Sequence, residues 1–516
     1  MATVCKVGGR PDDALFLLDD ALAGNVAIPE RLLAMLARCC AKSRSPRAAD
    51  LAERLFNMMN DERITMHDNM TMYSNLIKAL LAQGRFDACL KAIYLMDLRR
   101  LPPSEPIFNL VLNALAKNDR CTLAMSVFWM TVQRRIRLYC PVVGGLAASC
   151  GRAANLPALE SVRRYANDHS MEANDVVLSG LISGYAHCVH VFVAQQLFQD
   201  RCRATMPPGF VFDAMIGAYS LHGMLPKAIA TFDQMIESQR KPSERTLTTL
   251  LLGCCHVGDL DRAKGFIADF LRSYGISCTA ESSQFLVDLY GRHGNLDDAE
   301  QIVVSSFNND AASWASLLNA CRVHKDIVRA ERVFSKVISL PNASLASAYV
   351  EMSKIYASAS LFPQAIHMRQ QMRALGLVDG PRSTTVQLPD RSITFKSCDA
   401  VYHTDARLNA QHGRMIGCLL DNGYRPDVSL LAIQMASEED ARQSVYLHSD
   451  KIALAFALMH VAPCDPIRLT KNTKMCPDCH WVAKRVSGLL NRDVYVRDVA
   501  RHHHFRHGQC SCNDYW

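Results

Sequence analysis

The stretch Val211-Phe-Asp-Ala-Met-Ile216, running through His222-Gly223 and an apolar segment to Arg240-Lys241-Pro242-Ser243, decides the fold because its pattern recurs. Thr71-Met-Tyr-Ser-Asn-Leu-Ile77 leads in the same way through Gln83-Gly84 to Leu101-Pro102-Pro103-Ser104. Ser282-Ser-Gln-Phe-Leu-Val-Asp-Leu-Tyr290 leads through His293-Gly294-Asn295 to a helix expected over 296–305. Each unit reads as a helix, a Gly-marked turn and a second helix, and Pro closes it. With the first aromatic at position four of a unit that starts at Met70, units start at about 70, 105, 140, 175, 209, 244 and 279, a period near 35. A hairpin of this size cannot bury its apolar face alone, so the units stack into a right-handed solenoid with a concave binding surface. Such a register disfavours an irregular helical bundle.

Composition narrows the class further. The chain has 516 residues, of which 49% are hydrophobic and 21% charged, which excludes a disordered or collagen-like chain. Its net charge of +7 permits a polyanionic partner without demanding one. No uninterrupted apolar run approaches the ~18 residues of a membrane span, so no membrane partner is expected. Twenty cysteines lie mostly singly on apolar helical faces, with no signal peptide before them. That usage predicts a reducing compartment and small buried thiols, and only cysteines at ligand spacing call for a chemical reading. Residues 1–10 lack acids but are too few for a transit peptide before helical pattern begins at Pro11.

The texture changes near Gly380. Gly380-Pro381-Arg382-Ser383-Thr384-Thr385 breaks the helical period, and alternation from Val386 to Phe395 predicts a β-hairpin that opens a new domain. Helices are expected over 406–422 and 438–459, with short strands over 467–471 and 494–499. The fold class is therefore an α-solenoid of helical-hairpin repeats followed by a small α/β domain.

Chemistry concentrates in His448-Ser449-Asp450, Cys476-Pro-Asp-Cys479-His480, and His502-His503-His504 followed by Cys510-Ser511-Cys512. A lone Cys-x-x-Cys suits a redox pair or two core thiols as readily as a metal. A His 28 residues upstream and a third His/Cys cluster favour metal. Zn²⁺ takes four N or S ligands, and seven or eight candidates in about 65 residues fit two sites better than one. One arrangement fits the zinc deaminases of nucleobases: His448, Cys476 and Cys479 hold the ion, the fourth position takes water, and Asp450 stands where the general acid/base belongs. His480, His503, Cys510 and Cys512 are then candidates for a second, closed, structural site, with His504 as the rival of His503. A two-metal nuclease is disfavoured, because no carboxylates cluster at ~4 Å spacing near the cysteines. Asp478, Asp493, Asp498 and Asp514 read as surface or capping groups. Lys471, Lys474, Lys484, Arg485, Arg492, Arg497, Arg501 and Arg506 make the end of the chain locally basic, suited to steering phosphate or forming a solvated face.

Helical-hairpin repeats of this length that lack the Trp and Leu-Gly of the tetratricopeptide type resemble pentatricopeptide repeats, notably at Met72-Tyr-Ser-Asn-Leu-Ile77 and Phe212-Asp-Ala-Met-Ile216. Leu251-Leu-Gly-Cys-Cys-His-Val-Gly-Asp-Leu260 resembles the family's long variant, so the array resembles the mixed class. Trp314-Ala-Ser-Leu-Leu-Asn-Ala-Cys-Arg-Val-His324 resembles the first extension motif that follows such arrays, and Ala348-Tyr-Val-Glu-Met-Ser-Lys-Ile-Tyr356 the second. The ending Cys510-Ser-Cys-Asn-Asp-Tyr-Trp516 resembles the DYW domain of RNA-editing factors, as do Gly423-Tyr-Arg-Pro-Asp427 and Tyr446-Leu-His-Ser-Asp-Lys451.

The resemblance implies a repeat array over 1–309, helical extension motifs over 310–379 and a DYW cytidine deaminase domain over 380–516. It implies single-stranded RNA as partner, other editing-complex proteins as further partners, two Zn²⁺ ions, C-to-U editing of transcripts, and a mitochondrial or plastid location. In that family the fifth and last residues of a repeat read one base. Carried over, the pairs are Ser74 with Ser104, Asn109 with Tyr139, Gly144 with Asn174, Asp213 with Ser243, and Thr248 with Cys278; Ser179 and Ser283 are further fifth positions. Singly, each Ser or Thr is equally a helix cap. Two departures stand out. The family has Glu where this chain has Asp450, which draws the carboxyl back by ~1.5 Å, a displacement that can cost ~100-fold in rate. The opening box usually reads Pro-Gly-x-Ser-Trp, and here Gly380-Pro381-Arg382-Ser383-Thr384 inverts the first pair and lacks the Trp. The alternative to an active editing factor is therefore an RNA-binding or recruitment protein with a slow or inactive deaminase domain. Tyr515 and Trp516 are candidates to stack on RNA or to pack against the second metal site, with packing favoured because an exposed terminal Trp is unusual.

Overall fold

The computed structural model describes residues 35, 37, 38, 40, 41, 46–60, 70–98, 101, 103–307, 310–341, 343–377, 380, 382–388, 391–397, 404–427, 438–499 and 501–514. Tyr515, Trp516, Pro102, Pro381 and the N-terminal ten residues lie outside the described residues. The chain forms two compact units, 1–153 and 154–516.

In the first unit, helix pairs Met70–Ala82 with Phe86–Leu98 and Glu105–Lys117 with Cys121–Gln133 form hairpins, followed by Cys140–Arg152. In the second, hairpins pair Asp175–His187 with Val191–Ala204, Gly209–Leu221 with Leu225–Glu237, Glu244–Val257 with Leu260–Tyr274, and Ala280–Arg292 with Leu296–Phe307. The first helices begin at the register read from the sequence, to within one residue. Their apolar stripes explain the stacking: Phe212, Met215 and Ile216 are fully buried where Gly209–Leu221 packs between Asp175–His187 and Glu244–Val257. Two further hairpins, Ala311–His324 with Ile327–Ser339 and Leu345–Ser358 with Phe362–Ala374, continue the stack around Trp314, Leu317, Val333 and Met352.

Every hairpin turn needs one left-handed residue. Gly84, Gly223 and Gly294 supply it with φ of 69°, 68° and 82°. Asp119, Ala154 and Val189 hold the same conformation without glycine, with φ of 55°, 52° and 65°. Gly223 is required twice over, since a Cβ there would meet the His256 ring at 2.6 Å and the Ser511 carbonyl at 2.9 Å.

The C-terminal region carries one six-stranded sheet: β1 Ser383–Gln387, β2 Ser392–Lys396, β3 Ile467–Lys471, β4 Val494–Arg497, β5 His502–Arg506 and β6 Gln509–Cys510. Its order is β2-β1-β3-β4-β5-β6, with β3 and β4 parallel and the other neighbours antiparallel. Helix Pro477–Leu489 is the crossover that a parallel β3–β4 pair requires. Val386, Phe395, Ile452, Leu469, Val496 and Phe505 form the core beneath Ala406–Asp421 and Ser449–His460.

Three expectations need correction. The helix expected over 438–459 is two helices, Glu438–Tyr446 and Ser449–His460, because His448 breaks the run in an extended conformation (φ −60°, ψ 138°). Strands β5 and β6 and helix Pro477–Leu489 escaped the sequence reading: β5 places His503 where apolar alternation would show an aliphatic residue. The basic end of the chain is a solvated face only in part: Arg485 and Arg506 are exposed, but others are not. Lys471 is buried, Arg492 donates to the carbonyls of Val461, Ala462 and Asp465, and Arg501 is buried beside Asp288.

The sheet docks on the helix ends of the repeats within the second unit. Arg468 donates to the Val189 carbonyl at 3.2 Å and Arg497 to that of His187 at 3.1 Å, both at a hairpin turn where carbonyls lack helical partners. The His502 ring stands edge-on to His222 at 4.9 Å between centroids. Burial holds His222 down to about 4, so it packs as a neutral ring.

Candidate metal centres

Two groups of side chains converge in the C-terminal region. His448, Cys476 and Cys479 bring one donor atom each to within 4.8 Å of one another, and so do His480, His503, Cys510 and Cys512.

The first group is built from two helix starts. His448 precedes helix Ser449–His460 as its N-cap, in an extended conformation and without a side-chain capping bond. Cys476 is the N-cap of Pro477–Leu489, with Pro477 at the first helical position, where a missing N–H costs nothing. Cys479 follows one turn later, and its backbone N–H donates to the Cys476 sulfur at 3.4 Å. The two sulfurs lie 3.6 and 3.5 Å from His448 Nδ1. A tetrahedral ion with Zn–S of about 2.3 Å and Zn–N of about 2.0 Å places neighbouring S and N donors about 3.5 Å apart, so these three residues fit zinc. Hydrogen bonding from Cys479 and His448 holds the Cys476 thiol well below its ordinary value against the effect of burial, which favours the anionic sulfur that a metal binds.

Asp450 sits in the first turn after His448 and is 5% exposed. Thr384 Oγ1 donates to its Oδ1 at 2.5 Å, and its Oδ2 is ion-paired with Lys471. Burial would raise this carboxyl, but the Lys471 charge and the hydrogen bonds from Lys471 and Thr384 outweigh it and hold it below the usual carboxylate range. Neither Thr384 nor Lys471 was singled out with this site in the sequence. Strand alternation alone puts them on one face, and only the β1–β3 pairing reveals that they are neighbours.

The second group is closed and fully buried. Cys510 Sγ lies 3.5 Å from His503 Nδ1, and Cys512 Sγ lies 3.3 Å from His480 Nε2 and 3.2 Å from Cys510 Sγ. The rivalry between His503 and His504 follows from strand geometry. Successive side chains of β5 point to opposite faces, so His503 joins the cluster while His504 stacks on Tyr495 and bonds Asp493 at 3.1 Å. Asp498 accepts the backbone N–H groups of Met475 and Arg501, each at 2.8 Å, and its Oδ2 lies 3.6 Å from His503 Nε2. Burial would lower the His503 pKa, but Asp498 and Cys512 raise it. Asp498 is thus no surface group, and neither is Asp478, which binds the buried Lys451 and accepts from Tyr424 at 2.9 Å.

The DYW family of nucleic acid deaminases matches residues 423–516, and the PPR repeat family matches residues 210–256. The chain is a pentatricopeptide-repeat protein with a C-terminal DYW domain. It is 33% identical over 341 residues to the putative pentatricopeptide repeat-containing protein At2g01510 of Arabidopsis thaliana, covering 66% of this chain and 41% of the relative. It is 29% identical over 405 residues to pentatricopeptide repeat-containing protein CRR2, chloroplastic, of the same plant, covering 78% of this chain and 61% of that one. The chain therefore spans about half the length of the curated relatives it matches. A crystal structure of the pentatricopeptide repeat protein PPR10 in complex with an 18-nt psaJ RNA element aligns with a TM-score of 0.48 at 16% identity, over 71% of this chain and 58% of that one.

In this pentatricopeptide-repeat protein the candidate base-reading residues differ in what they touch. Asp213 is buried and accepts from Ser243 Oγ at 3.1 Å and Thr246 Oγ1 at 2.5 Å, so this fifth and last residue meet. Asn109 reaches the backbone N–H of the exposed Tyr139 at 2.8 Å. Ser74 and Thr248 turn back to carbonyls of their own helices, Met70 and Glu244. Asn174 caps helix Asp175–His187, and Ser243 forms a capping box with Thr246, the bland role that each polar residue also allowed. Ser104 is a helix N-cap without a side-chain bond, and Cys278 and Ser179 are half-buried. Gly144 and Ser283 are buried in their helices.

Proposed function

We propose that the repeats of residues 1–309 bind single-stranded RNA and that the domain of residues 380–516, joined through the helical extension of 310–379, deaminates a cytidine in it to uridine. The carrying observation is the meeting of His448, Cys476 and Cys479 at zinc-like spacing with Asp450 in the first turn of the helix that His448 caps. The family match at residues 423–516 supports the same chemistry. Bound there, zinc would polarise a water and bring its pKa toward neutrality. Asp450 takes one proton as water adds to C4 of the base and passes it to the ring nitrogen N3; it then takes the proton of the new C4 hydroxyl and passes it to the amine, so that the C4–N bond breaks, the C4 carbonyl forms and ammonia leaves. A carboxylate has about four lone-pair sites. The bonds from Thr384, Lys471 and Cys479 occupy three, which leaves one for that proton. The fully buried second cluster suits a structural zinc that holds β5, β6 and helix Pro477–Leu489 together. Residence in a plastid or mitochondrion agrees with the relatives named chloroplastic.

The second reading is recruitment without chemistry, and it draws on the same site: both Asp450 oxygens are engaged by Thr384 and Lys471. Expression in a host without editing, followed by transcript sequencing, separates the two. C-to-U changes with the natural protein, absent from Cys476→Ala, establish the enzyme. RNA binding with no change from any variant establishes the recruiter.

A further inference from the structure

Thr384 and Lys471 face each other directly across the antiparallel β1–β3 pair, and both project against the first turn of helix Ser449–His460. Thr384 is fully buried, Asp450 and Lys471 nearly so. Thr384 Oγ1 lies 2.9 Å from Ser449 Oγ as well as 2.5 Å from Asp450 Oδ1. The hydroxyl has one proton, and the carboxylate can only accept, so the proton goes to Asp450 and Ser449 donates to Thr384. Lys471 holds the other oxygen. Two neighbouring strand residues thus grip one carboxylate from both sides beside the His448–Cys476–Cys479 centre.

We propose that Thr384 and Lys471 are positioning residues that fix the Asp450 carboxylate relative to the metal centre, in a space sized for aspartate. The inference rests on the proposed function for its catalytic consequence but not for its geometry. A glutamate at 450 would carry its carboxyl ~1.5 Å further, out of this grip. Thr384 and Asp450 therefore act as a pair: Asp450→Glu alone does not repair the site. Room must be made on β1 at the same time.

The test uses the purified full chain loaded with Co²⁺, whose visible absorption reports the ligand field, together with kcat and KM on an RNA containing the edited cytidine. Thr384→Val keeps the shape and removes the donor. It is expected to shift the cobalt bands and to lower kcat by ~10- to 100-fold at unchanged KM, and Thr384→Ser restores both. In an Asp450→Asn background the same change has no further effect, because Thr384 acts only through Asp450. Asp450→Glu is expected to lower kcat, and Thr384→Ala to recover part of it in the double variant. Should Thr384→Val fail to fold, Thr384→Ala, which also removes the donor, carries the same comparison with and without Asp450→Asn. If the natural protein shows no turnover, the deaminase reading falls while the cobalt shift still decides the grip. Cobalt bands unmoved by Thr384→Val, or moved equally with Asp450→Asn, overturn the proposal.

Discussion

The two metal-type clusters use the same residue types and share one helix, yet they differ in closure. His448, Cys476 and Cys479 make a three-donor group with half-buried members, whereas His480, His503, Cys510 and Cys512 make a four-donor group that is buried throughout. Cys479 and its neighbour His480 face different clusters from the start of helix Pro477–Leu489. Three donors leave a tetrahedral ion one open position for water, while four leave none. The difference separates a site that can do chemistry from one that can only hold a fold.

Deleting a donor from the closed group should break the most. Cys512→Ala removes a sulfur that lies within 3.5 Å of both His480 and Cys510. Structural zinc contributes on the order of 10 kcal/mol to folding in small domains, comparable to the whole stability of a domain. The C-terminal domain is expected to become protease-sensitive from about residue 380, while the helical signal of the repeats in circular dichroism persists. An intact, protease-resistant domain in this variant would erase the distinction between the clusters.

Cys476→Ala should separate activity from fold. Zinc content is expected to drop from two ions to one per chain, with deamination falling by ~10³-fold or more, since the metal supplies several kcal/mol to the transition state. The melting temperature should move much less than for Cys512→Ala. The equivalent experiment without mutation is chelation. Zinc release followed with a colorimetric chelator should be biphasic, and the fast phase should disappear in Cys476→Ala but persist in His503→Asn if that variant folds.

Legibility in the sequence divides along similar lines. The repeat register was readable because glycines mark four of the turns, at Gly84, Gly223, Gly258 and Gly294, and aromatics mark the helices. It was less visible where Asp119, Ala154 and Val189 take the left-handed position, because a non-glycine residue there leaves no signature. The metal-type residues stood out by spacing, and the alternation of β5 later separated His503 from His504. The surroundings of Asp450 were not readable. Thr384 and Lys471 are 87 residues apart and meet only through the pairing of β1 with β3, which depends on sheet order rather than on any local pattern. The same holds for Arg468 and Arg497, whose partners are backbone carbonyls 279 and 310 residues away and leave no trace in side-chain identity.

The smallest expected effect tests the alternation within β5. His504 is partly exposed, and its bond to Asp493 is a near-surface contact of the kind that contributes ~0–1 kcal/mol. His504→Asn should therefore retain two zinc ions, keep its rate of chelator-driven release and lower the melting temperature by a few degrees at most. His503→Asn takes a donor from the closed cluster and leaves Asp498 facing an amide instead of an imidazole. It should lose the second ion and destabilise the domain nearly as much as Cys512→Ala. Asp498 also holds the Met475 N–H immediately before Cys476, so disturbance there should reach the open cluster as a slower turnover. Reversal of the pair, with His504→Asn losing zinc and His503→Asn keeping it, would place the strand one residue out of register and exchange every inward side chain of β5.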